Sequence, residues 1–199
     1  NLASSAKERM KMFLNGSRGI EETFDLEKWA WLFAVADLTY TYHGLLPYNV
    51  KFYYNPLSGL FEPIAYDGHR SARNYNKNLM NYDERTSFDR ANECVASSCI
   101  ENSLENWLYK FFFYENNTLN KSFYEKYLKK VKKISNSEFL ENFFSKKKNK
   151  IDQINSLIYS DYFFIDNVSY GKYGPGLYFF SYDDIVYRAK VLNEKFSPK

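Results

Sequence analysis

NVKFYYNPLSGLFEPIAYDGH runs from Asn49 to His69. Two runs rich in aromatic and β-branched residues, 50–54 and 60–66, flank the segment NPLSG. Such runs, split by a Pro/Ser/Gly cluster, predict a β-hairpin with a Gly-containing loop. The hairpin decides the fold class, because most of its surroundings have helical spacing. It begins at an Asn and finishes on Tyr66-Asp67-Gly68. Both Asn and Asp-Gly are ordinary turn chemistry. On that reading alone the hairpin is a structural element and nothing more.

Upstream, ASSAKERMKMFL (3–14) reads as a helix that stops at Asn15-Gly16. Asp25 caps a second helix, LEKWAWLFAVADL, with Leu26, Trp29, Leu32, Phe33 and Ala36 on one core face. TYTYHGLLPYN (39–49) joins it to the hairpin as a Gly- and Pro-containing loop.

Downstream, residues 68–102 are polar and rich in Asn, Arg and Ser, and read as an ordered but irregular excursion. Helices are expected at about 103–114, 118–133 and 137–159, with Ser103, Thr118 and Ser137 as N-caps. Ser135 and Glu138 have capping-box spacing and offer another start for the third. YGKYGPG (170–176) is a turn, and SYDDIVYRAKVLNEKF closes the chain as an amphipathic helix capped by Ser181 or Asp183. No internal repeat or linker divides the chain, so 1–199 reads as one unit, α+β and mainly α-helical.

The 199 residues are 45% hydrophobic and 20% aromatic, which is ample material for a core and excludes a disordered chain. Clusters such as YKFFFY (109–114) are expected in that core. A net charge of +3 argues against a general nucleic-acid binder. The charge is uneven, since residues 121–150 hold ten Lys against three Glu. Phe123, Tyr127, Leu128 and Val131 are at helical spacing, so Lys126, Lys129, Lys130 and Lys133 are expected to face outward. They form a solvated face or a docking surface for an acidic partner. The helical pattern does not interleave aromatics with them on that same face, so the helix offers no nucleic-acid pattern.

Cys94 and Cys99 read either as a small disulfide loop or as two free thiols. Two cysteines are too few for a structural zinc site, and His43 and His69 lie far from them in sequence. No segment has the roughly 20 apolar residues of a transmembrane helix. The chain opens on Asn1, and is expected to be a fragment or a processed form.

LPYNVKFYYNPLSGLFEPIAYDG resembles the CotH-like kinases, atypical protein kinases named for a bacterial spore-coat protein. In that family a helix leads into a loop with a catalytic Asp and, five residues later, an Asn. A hairpin follows whose closing Asp stands eighteen residues after the Asn. Asn49 and Asp67 have that spacing here, and Tyr53, Asn55, Gly59, Phe61 and Glu62 fall in matching places. The resemblance extends to the lead helix, the Asn-rich excursion and WLYKFFFYENNTLNKSFYEKYLKKV.

It implies a protein-kinase-like C-terminal lobe, with Mg²⁺ or Mn²⁺ held by Asn49 and Asp67 against ATP phosphates. It also implies phosphoryl transfer to a hydroxyl of a protein substrate. His69 and Arg70 are the nearest candidates for phosphate contact, or else belong to a solvated loop.

The departures are specific. Gly44 stands where the family has its catalytic Asp, with His43 beside it as the candidate base. Asp37 is another carboxylate but lies too far back. His69 occupies a position that is often a second Asp, and nothing before Asp25 looks like an N-terminal lobe. The alternatives are a non-catalytic pseudokinase or a cell-envelope or coat interaction protein that keeps the fold. An exported or cell-surface location follows only from the resemblance and from a Cys94–Cys99 disulfide.

Overall fold

The hairpin forms with β1 at Lys51–Asn55 and β2 at Leu60–Ile64, antiparallel, in a register running from Lys51↔Ile64 to Asn55↔Leu60. The computed structural model describes residues 1–39, 41, 43–45, 49–67, 109–114, 118–161 and 182–196. β2 ends two residues sooner than expected, and β1 lies one residue later, running into the turn at Asn55. Its side-chain Oδ1 accepts from the Leu57 N–H at 2.9 Å, and its carbonyl accepts from the Gly59 N–H at 2.8 Å. Gly59 has φ 70, the left-handed conformation a Gly adopts without strain. Across the strands Asn55 Nδ2 donates to Glu62 Oε1 at 2.7 Å.

Among the described residues the rest is helical: α1 (Leu2–Leu14), α2 (Leu26–Thr39), a 3-10 turn (His43–Leu45), α3 (Tyr109–Phe112), α4 (Lys121–Ile134), α5 (Ser137–Asp161) and α6 (Tyr182–Phe196). This is an α+β chain, mainly helical, with one small sheet. α1 ends at Asn15, followed by Gly16 with φ 77, as its sequence predicts. Asp25 caps α2 by accepting from the Lys28 N–H at 3.1 Å.

Two caps differ from expectation. Asn120, not Thr118, caps α4 by accepting from the Phe123 N–H at 3.1 Å. Asn136, not Ser137, caps α5 by accepting from the Phe139 N–H at 2.9 Å. Ser135 ends α4 instead of opening α5, since its hydroxyl donates to the Val131 carbonyl at 2.8 Å. Asn competes well with Ser and Thr as a cap; Asn120 sits directly before α4, and Asn136 directly before α5, in which Ser137 is the first residue. Ser103, Ser181, the excursion at 68–102 and the turn at 170–176 lie outside the described residues.

The core forms where α2, α3 and α4 meet. Trp29, Phe33, Phe111 and Phe123 are fully buried. Their rings follow one another at 5.8 Å (Trp29–Phe33), 5.1 Å (Phe33–Phe111) and 5.0 Å (Phe111–Phe123). Tilted and edge-on pairs of this kind add to the burial of their area. α2 is buried well beyond the expected stripe: Ala30, Ala34, Asp37 and Leu38 are also inside, while Leu32 is only partly buried. A helix covered on several sides is a central one.

The hairpin docks on this core through Phe61. Its carbonyl accepts from Trp29 Nε1 at 2.9 Å and from the Asp25 N–H at 3.0 Å, and its own N–H donates to the Thr23 carbonyl at 2.8 Å. The Phe61 ring is buried against Phe24, Phe52 and Tyr54. Lys28 of α2 adds an ion pair to Glu62 at 2.7 Å.

The basic face of α4 needs one correction. Lys129 and Lys133 are exposed as expected. Lys126 and Lys130 instead turn toward α2 and pair with Glu27, at 3.2 and 2.7 Å. Lys130 and Lys133 also lie 5.0 and 5.4 Å from the centre of the Trp31 ring. Part of the Lys-rich surface is therefore helix-packing material. Among the described residues no helix is long and apolar enough to cross a membrane.

Candidate functional site

α2 delivers the chain to the candidate site. Beyond its last residue, Thr39, the backbone turns through the 3-10 segment His43–Leu45, in which Leu45 is buried. Gly44 in that turn lies directly against the exit of β2. A Cβ placed on Gly44 would overlap the Tyr66 carbonyl oxygen, and would lie 3.2 Å from the Tyr66 carbonyl carbon and 3.3 Å from the Asp67 carbonyl oxygen. Backbone occupies the space, so no rotamer change of a neighbour relieves the overlap.

Asn49 stands two residues before β1 and Asp67 three residues after β2, in an antiparallel hairpin. Both expected oxygen donors therefore stand at the open end of the hairpin, on the side away from the turn. Both are partly buried. Asp67 has φ 49, the one non-Gly residue with positive φ among the described residues. Asp tolerates this region better than most side chains, yet the conformation remains uncommon. The Asp67 carbonyl oxygen is among the atoms nearest Gly44. Lys51, at the start of β1, holds its ammonium 5.3 Å from the centre of the exposed Tyr66 ring, so a cation also stands at this end.

His43 opens the 3-10 turn next to Gly44; the position of its imidazole lies outside the described residues. His69, Arg70, Cys94 and Cys99 also lie outside them. Asp37, set aside in the sequence as too far back, is fully buried at the end of α2. Tyr127 donates its hydroxyl to Asp37 Oδ2, and the Arg188 guanidinium approaches the same residue. Sequence reasoning missed this cluster because its members lie on three helices far apart in the chain. An acid in an otherwise apolar helical face, as Asp37 is, was the only local signal.

Among the described residues no group of three or more His, Cys, Asp or Glu side chains is gathered in metal-binding geometry. Asn49 and Asp67 supply two hard oxygen donors. That set fits Mg²⁺ or Mn²⁺ only when other oxygens, such as those of phosphate, complete the shell. No protein-family model matches the chain, and no curated protein or solved structure matches it.

Proposed function

We propose that this chain is the C-terminal-lobe portion of a CotH-like atypical kinase, with a divalent cation and ATP phosphates held at Asn49 and Asp67. The observation that supports the reading is the antiparallel hairpin, whose open end carries both residues.

Under this reading Asn49 and Asp67 orient the phosphates, and Lys51 adds positive charge nearby. The bound cation supplies charge neutralisation at the phosphates. Catalysis then consists of positioning and electrostatic stabilisation, with a protein hydroxyl as acceptor. His43, adjacent to Gly44, is the candidate base. His69 and Arg70, just past Asp67, are the candidates for further phosphate contact.

A second reading has its own support. Backbone fills the space around Gly44, so this position offers no room for the acid that the family carries there. That favours a member that keeps nucleotide binding and has given up transfer, acting in the cell envelope or coat through interactions.

Calorimetry of Mg²⁺·ATP and Mn²⁺·ATP with the chain and its Asp67→Ala variant tests both. Binding lost in the variant supports the site, and absence of binding by either protein sinks it. A transfer assay with His43→Ala then separates the readings. Loss of rate with binding kept supports the base, while no transfer by the unsubstituted chain leaves the second reading.

A further inference from the structure

The end of α2 has an electrostatic problem that its own sequence does not solve. The last carbonyls of a helix lack partners within it, and that end carries partial negative charge. α2 has no basic residue in its last turn, and Asp37 adds a carboxylate there. The answer comes from α6. Arg188 Nε donates to the Asp37 carbonyl at 2.7 Å, and Nη2 lies 3.9 Å from Asp37 Oδ1. Tyr127 of α4 donates its hydroxyl to the other carboxylate oxygen. All three side chains are buried. The neighbouring carbonyls are met too. Thr39 Oγ1 donates to the Val35 carbonyl at 2.7 Å, and the Thr41 N–H donates to the Ala36 carbonyl at 3.1 Å. A few residues further on, Gly44 lies against the Tyr66 carbonyl.

We infer that Arg188 is a positioning residue for the Gly44–Asp67 site, capping α2 from α6 and so setting where the 3-10 turn meets the hairpin. The inference concerns the geometry of the site and stands whether or not a nucleotide binds there. A purely structural ion pair would act on stability alone, and buried pairs are often replaceable by apolar side chains without loss. A cap acts locally, on the turn that follows it.

The test is amide NMR and hydrogen exchange on the whole chain without nucleotide, comparing Arg188→Lys with Leu192→Ala. Lys keeps the charge but not the planar fork that reaches carbonyl and carboxylate together. Leu192 is fully buried on the same helix, one turn on, and serves as the packing control. Arg188→Lys is expected to speed exchange of the Thr41 amide roughly tenfold beyond any change in α4, the order expected for a lost buried hydrogen bond. It should also shift the Gly44 and Asp67 amide resonances. Leu192→Ala is expected to lower protection evenly and leave those resonances in place. Tyr127→Phe, a milder change, should give the Arg188 pattern at smaller amplitude, and decides the matter alone if Arg188→Lys does not fold. The same even loss in every variant, or an unmoved Gly44 resonance in the cap variants, overturns the inference.

Discussion

The backbone of Gly44 and the carbonyl of Tyr66 meet with no room for a Cβ between them. This contact joins the loop after α2 to the exit of the hairpin. It also explains why a Gly can stand there whatever the chain's activity: the fold needs close approach of two backbones.

Gly44→Ala is therefore expected to destabilise the chain by about 1–3 kcal/mol, the usual cost of forcing a group into filled space. Gly44→Asp should be worse in stability and should weaken metal–nucleotide binding, because the side chain pushes the Asp67 backbone away. Denaturant unfolding and calorimetry read the two effects. A Gly44→Asp protein that folds normally and gains transfer activity would show that the close contact is dispensable.

Asn55, Gly59, Phe61 and Glu62 each have a folding role in the hairpin. Asn55→Ala removes the bond that starts the turn and the one to Glu62. It should cost about 1–2 kcal/mol in unfolding experiments and leave metal–nucleotide affinity within a factor of about two. Loss of affinity equal to that of Asp67→Ala would place Asn55 in the binding machinery instead.

Under the proposed reading Asn49 and Asp67 would supply two ligands. Mn²⁺ alone is thus expected to bind weakly, and Mn²⁺ with ATP much more tightly. Paramagnetic relaxation by Mn²⁺ with and without nucleotide checks this. Tight binding of the bare ion would mean that further protein ligands complete the shell.

Acid should loosen the packing of α2 against the hairpin and α4. Hydrogen bonding from Lys28, then from Asn55, holds the Glu62 carboxyl below the usual Glu range. Hydrogen bonding from Lys130, then from Lys126, does the same for Glu27. A depressed folded-state pKa stabilises fully above the unfolded value and is lost as pH falls through the folded one. The loss therefore lies below the ordinary Glu value of about 4.3. The Tm gap between the chain and a Glu27→Gln, Glu62→Gln double variant should close across that range and narrow with added salt. A gap unchanged in acid would place the stabilisation elsewhere.

The hairpin, the C-terminal end of α1 and the Asp25 cap were legible because each is written locally, in turn residues and caps adjacent to the element they punctuate. The aromatic run at 111–113 was legible as core for a similar reason, since three successive Phe residues have few stable places outside one. The N-caps of α4 and α5 were missed by one or two residues, where several capping types stand side by side and only geometry chooses. Lys126 and Lys130 were misassigned because a helical wheel cannot see the neighbouring helix, and Glu27 lies on α2.

Of the candidate site, the sequence by itself determined the hairpin and offered Asn49 and Asp67 as the candidate donors at its ends. Their arrival at the same end follows from the antiparallel pairing of the two strands, which the hairpin reading already implied. The rest was decided by contacts between distant segments: Gly44 against Tyr66, Phe61 on the Thr23–Asp25 backbone, Arg188 on the end of α2. Local periodicity reports which face of an element is apolar. It carries no information about which backbone will come close enough to exclude a Cβ, or which distant guanidinium will cap a helix, because those follow only when the elements pack together.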